Sequence, residues 1–127
     1  MKLITKLFIA LALLCSFTLA SADVVQVWNC QLNDGKTQDD LAAANKAWLA
    51  GVQSGEGAEK VEAYVNFPVA AEVGDGQFLF IVIDSDFSTW GAQADAYPDS
   101  AASKADEAWG EVASCSSSSL WFSQRIE

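Results

Sequence analysis

Six consecutive apolar residues, Phe78-Leu79-Phe80-Ile81-Val82-Ile83, constrain this chain more than any other feature. The run is too short for a helix. It is bounded by Gly74-Asp75-Gly76 on one side and Asp84 on the other, so it reads as a strand buried on both faces. Such a strand lies at the centre of a sheet and needs neighbours on both edges. Val24 to Leu32, rich in valine and closed by the turn signal Asn33-Asp34-Gly35, supplies one. Val61 to Val69 alternates Val61, Ala63, Val65 and Phe67 with Glu62, Tyr64 and Asn66, and its Pro68 favours a sheet edge. The last strand is expected from Cys115 to Arg125. Ser116 to Ser119 have the composition of a linker, but Leu120-Trp121-Phe122 continues the run and Cys115 anchors its start.

Between these strands the spacing changes to that of helices. Thr37 and Asp40 form an approximate capping box, followed by Leu41, Ala44, Trp48 and Val52 at helical intervals, with an end expected between Gly51 and Gly55. A second helical region starts around Ser88, breaks at Tyr97-Pro98, and resumes after Asp99 with Ala101, Ala105, Ala108, Trp109 and Val112. The order strand, helix, strand, strand, helix, strand gives an α+β, ferredoxin-like fold. Its four-stranded antiparallel sheet carries both helices on one face. Strands one and three are expected to be parallel neighbours.

The amino-terminal segment has a separate purpose. Lys2 and Lys6, the apolar run Leu7 to Leu14 and the ending Ala20-Ser21-Ala22 follow the order of a secretory signal, which predicts a leader over 1–22 and a single domain over 23–127. The apolar run is shorter than the ~20 residues that span a bilayer. Cys15 follows the bulky Leu14 and is expected to leave with the leader. The working protein is then periplasmic or extracellular. Loss of Lys2 and Lys6 takes the net charge from −10 to −12, which disfavours nucleic acid and anionic membrane surfaces as partners. Cys30 and Cys115 remain, and in an oxidising compartment they are expected to join. An antiparallel last strand beside the first brings them together.

Alternation assigns the faces. Val25, Val27, Val61, Ala63, Val65, Phe67, Leu120 and Phe122 are placed towards the helices, leaving Gln26, Trp28, Cys30, Glu62, Tyr64, Asn66, Cys115 and Trp121 on the other face. Because the central strand is apolar on both sides, that second face needs a cover, and a second copy of the chain is the simplest. In its element order, its central run Phe78 to Ile83 and Trp90 in the second helical region, the chain resembles the dimeric α/β-barrel superfamily, of the antibiotic-biosynthesis-monooxygenase-like kind. That resemblance implies a homodimer. It leaves the activity open among cofactor-independent oxygenases, isomerases, haem-degrading enzymes and proteins with no assigned activity.

The chain contains no histidine, which removes Ser-His-Asp and Cys-His nucleophile systems, histidine bases and ordinary zinc sites. No cofactor is expected. Acid–base chemistry falls to carboxylates, with Glu62, Tyr64 and Asn66 as the candidate catalytic set, although a solvated strand glutamate has the same sequence. Gln26, Trp28, Tyr64 and Trp121 are the candidates for holding a flat apolar or aromatic ligand, and the same side chains suit a dimer interface. Trp48, Trp90 and Trp109 lie on helical stripes and are expected in the core. Asp34, Asp84 and Asp86 could meet as calcium ligands if strands one and three run parallel; ordinary turn and capping roles also explain them, so no metal is expected. The expectation is an exported homodimeric domain that binds a small ligand. The alternative is a cofactor-independent monooxygenase or isomerase.

Overall fold

The computed structural model describes residues 23–70 and 74–124, so the expected leader over 1–22 lies outside the described residues. The elements in chain order are β1 (Asp23–Leu32), α1 (Gln38–Gln53), β2 (Glu62–Asn66), β3 (Gln77–Asp84), α2 (Phe87–Ala96), a 3-10 turn (Tyr97–Asp99), α3 (Ala101–Gly110) and β4 (Ala113–Ser123). The sheet runs β2-β3-β1-β4 with every pair antiparallel, and the helices cover one face.

Local chemistry sets the boundaries. Gly35 adopts φ 75°, a left-handed conformation that closes the turn after β1. Thr37 caps α1 by accepting the Asp40 amide at 3.2 Å, while the Asp40 carboxylate accepts the Thr37 amide at 2.9 Å. Asp86 caps α2 by accepting the Thr89 amide at 2.7 Å, and Ser100 caps α3 by accepting the Ser103 amide at 3.0 Å. Pro98 cannot continue α2, and the 3-10 turn it opens swings the chain into α3. Ser116 to Ser119 are strand, as expected, held by their ladder with β1.

Leu41, Trp48 and Val52 of α1, Ala102 and Trp109 of α3, and Phe78, Phe80 and Val82 of β3 form the core. Gly51 lets α1 and α3 touch. A Cβ there would lie 2.6 Å from the Ala102 amide nitrogen, so only glycine allows this approach. Cys30 and Cys115 form a disulfide between β1 and β4, next to a bulge after Asn29.

The register changes two expectations. β1 and β3 are antiparallel, with Val24 opposite Asp84 and Gln31 opposite Gln77, so the ends of the two strands lie at opposite ends of the sheet. The face of β1 is also the reverse of the expected one. Trp28 pairs with Phe80 and Gln26 with Val82, which puts Gln26, Trp28 and Cys30 on the helix side and turns Val25 and Val27 outward. Cys115, opposite Cys30, is on the helix side too. The reason is that the space under the helices is not filled by small aliphatic side chains. It holds a cavity that a tryptophan and a glutamine line.

Candidate functional site

A cavity of about 710 Å³ lies between the helix side of the sheet and the helices, inside the range of roughly 300–1,000 Å³ common for small-molecule sites. Its walls are aromatic. Trp28, Trp48, Phe80 and Trp109 pack against one another, with ring centroids 5.2 Å apart for Trp48–Phe80 and 5.6 Å for both Trp28–Phe80 and Phe80–Trp109. Trp90 and Tyr97 complete the lining from the second helical region. The three tryptophans expected in the core therefore serve two ends: Trp48 and Trp109 are buried core side chains, and with the less buried Trp90 they also face the cavity.

Polar groups enter this aromatic shell at fixed positions. The Trp109 indole donates to Asn45 Oδ1 at 2.6 Å, and the Trp48 indole to the Tyr97 hydroxyl at 3.2 Å, so two walls are locked from behind. The Trp90 indole donates to Gln26 Oε1 at 3.0 Å, which leaves the Gln26 amide nitrogen as a donor with no partner among the described residues. Asp84 closes the end of β3. The alternation that buries Phe78, Phe80 and Val82 also turns its carboxyl inward, and the residue is 2% exposed. Gln93 Nε2 donates to Asp84 Oδ1 at 2.6 Å, leaving Oδ2 without a protein partner among the described residues.

Electrostatics single out the same carboxyl. Burial pushes Asp84 above the usual carboxylate range; the Gln93 hydrogen bond opposes that rise and the nearby Asp86 adds to it. Tyr97 is likewise pushed up, mainly by burial, and its hydroxyl also faces the Asp106 carboxylate on the cavity wall. The chamber thus combines flat aromatic walls with the titratable groups Asp84, Tyr97 and Asp106, of which Asp84 is the buried carboxyl able to accept or give a proton.

The residues singled out from the sequence are distributed differently from the expectation. Gln26 and Trp28 line the cavity, whereas Tyr64 and Trp121 stand on the opposite face of the sheet, 47% and 60% exposed. These four do not form one pocket. Glu62, Tyr64 and Asn66 all lie on that outer face of β2. The Tyr64 hydroxyl donates to the Glu62 carboxylate, and this bond raises the tyrosine pKa. Asp34 is separated from Asp84 and Asp86 by the length of the sheet because β1 and β3 run antiparallel, and no group of three metal-binding side chains occurs among the described residues. Asp86 is engaged as the α2 cap, which lowers its pKa. Sequence reasoning missed Asp84, Gln93 and Trp90 as a set. Counting by twos from Phe78 would have placed Asp84 on the inner face.

No protein-family model matches the chain, and no curated protein matches it in sequence. Among solved structures, SnoaB, a cofactor-independent oxygenase from Streptomyces nogalater, superimposes with a TM-score of 0.56 at 12% identity, over 82% of this chain and 95% of that one. The fold is the ferredoxin-like fold of SnoaB. A conserved protein of unknown function from Bacteroides thetaiotaomicron, described as a possible oxidoreductase, also matches. Its TM-score is 0.47 at 12% identity, over 84% of this chain and 99% of that one.

Proposed function

We propose that this domain binds a flat aromatic small molecule in the cavity between sheet and helices, with Asp84 as the group that meets the ligand's acidic proton. The buried Asp84 carboxyl, open on one oxygen to an aromatic chamber, carries this reading. Trp28, Trp48 and Trp109 supply stacking area, while Gln26 donates to a carbonyl and Asp84 accepts from a phenolic or enolic hydroxyl. Such a ligand is matched at both its apolar faces and its polar edge.

The second reading is an enzyme. Removal of the hydroxyl proton by Asp84 yields an electron-rich anion, the form of a phenol or enol that reacts directly with dioxygen or re-protonates at carbon. The likeness to SnoaB supports the oxygenase branch, and the absence of a histidine base puts the proton transfer on Asp84. Hydroxyanthraquinones test both readings, since their absorption bands differ between neutral and ionised forms. The wild-type protein is expected to bind them and shift the bands towards the anion. Asp84→Asn is expected to bind without that shift, and Trp90→Ala to weaken binding about tenfold. Equal band shifts in wild type and Asp84→Asn would remove Asp84 from the chemistry. Oxygen uptake with the same compounds separates the enzyme from the binder.

We further propose that the working form is an exported homodimer. The outer face of the sheet exposes a half-buried aliphatic row, Val25, Val27, Ile81 and Ile83, beside Tyr64 and Trp121. Asp23 and Glu62 are the charged residues on that face among the described strand residues, in a chain with 17 acidic side chains. An apolar, charge-poor sheet face in a strongly acidic domain suits a second copy of itself. Light scattering of the processed protein is expected to give twice the monomer mass; a monomer at all concentrations would refute this assembly.

A further inference from the structure

The outer face of the sheet changes character along the strands, and its polar end holds a second concavity of about 540 Å³. This end lies away from the aliphatic row, where β1 finishes and β3 begins. Six neutral polar side chains line it: Asn29, Gln31, Asn66, Gln77, Ser114 and Ser116. Among the described residues no charged side chain does, although the chain has 17 acidic and 7 basic residues. The described lining therefore offers an anion no cation and a cation no carboxylate.

The hydrogen-bonding directions of the amides are partly preset. Gln77 Oε1 accepts the Gly74 amide at 3.1 Å, so its Nε2 points outward as a donor. Asn29 Nδ2 donates to Ser117 Oγ at 3.0 Å, which leaves Oδ1 as an acceptor. Gln31 Nε2 reaches the Asp75 carbonyl at 3.5 Å, leaving another acceptor, and Asn66 makes no side-chain hydrogen bond among the described residues. The rim thus offers both donors and acceptors. Hydroxyl groups satisfy such an array because each both donates and accepts. Leu79 in the floor and Phe67 with Pro68 at the side add an apolar surface next to the amides. A ring with hydroxyls at its edge and C–H bonds on its face matches both.

We propose that this concavity is a second binding site, separate from the aromatic cavity, and that it takes a neutral polyhydroxylated ligand of the saccharide class. The test is side-chain amide NMR of the processed, disulfide-bonded protein with cellobiose, maltose and N,N′-diacetylchitobiose as probes. At least one of these sugars is expected to move the amide signals of Asn29, Asn66 and Gln77 saturably. Asn66→Ala is expected to weaken that response about two- to tenfold, as loss of one hydrogen bond does. Trp90→Ala alters the aromatic cavity and is expected to leave the sugar response unchanged, so failure of one site is distinguishable from failure of the other. The proposal is overturned if none of the three sugars shifts these amides, or if Asn66→Ala responds as wild type does. It is also overturned if the amides respond to protein dilution and not to sugar, because a second copy of the chain then fills the concavity.

Discussion

Asp84 is a buried carboxyl whose ionised form costs stability, and the same burial underlies the role proposed for it. Its pKa is raised in the folded protein, so between the ordinary carboxylate value and the raised one the folded state holds more protons than the unfolded state. Stability therefore falls as pH rises through that window. Asp84→Asn removes the titration and keeps an oxygen for Gln93 to reach. The variant is expected to melt higher than wild type at neutral pH, with the difference shrinking as pH falls below the carboxylate range. Melting curves across pH check this, and a difference independent of pH would show that the carboxyl is not held in an unfavourable ionised state. The sequence marked the residue as the end of an apolar run and as a candidate calcium ligand with Asp34 and Asp86, not as a cavity carboxyl. Its inward direction follows from the period-two alternation, but its setting depends on Gln93, which binds it from α2, and on Gln26 and Trp90, which bind each other and line the same cavity.

At the scale of elements, most of the chain's signals were local and they held. The Thr37–Asp40 box, the break at Tyr97-Pro98 and the strand through the serine run all occur where the sequence predicts. Thr37→Ala is expected to lower stability by about 1 kcal/mol in denaturant titration, the usual loss for such a cap. Gly51→Ala is expected to lower it by about 1–3 kcal/mol, because the added methyl meets backbone of α3 that cannot move aside without separating the two helices. An unchanged midpoint in Gly51→Ala would mean that α1 and α3 sit further apart than described. What failed was the parallel pairing of strands one and three, and the face of β1. Reading valines as inner and Trp28 and Gln26 as outer assumes a helix side filled by aliphatic side chains throughout, whereas part of it is a cavity lined by large aromatic and amphipathic ones. Pattern alone does not distinguish a packed face from a cavity wall.

For the whole molecule, the two faces of the sheet divide the work. The helix side carries the aromatic chamber, and the outer side carries an apolar row and an amide-lined concavity. The disulfide ties the edge strand β4, most of whose side chains are exposed, to the centre of the sheet. Cross-linking positions 85 apart is expected to stabilise the fold by about 4 kcal/mol, so reduction should lower the melting temperature markedly without changing the element order. The order of elements, the antiparallel sheet and the cysteine pair were legible because each follows from spacing. The cavity was not, since it arises where three helical segments and the sheet leave a gap. All five tryptophans make the central claim directly measurable: Trp28, Trp48, Trp90 and Trp109 line the chamber, and Trp121 stands on the far face. The deciding measurement is a titration of the indole N–H signals with 2-naphthol. The four cavity indoles are expected to move saturably while the Trp121 signal stays in place; movement of Trp121 alone, or of none, would rule out an aromatic ligand site in the chamber.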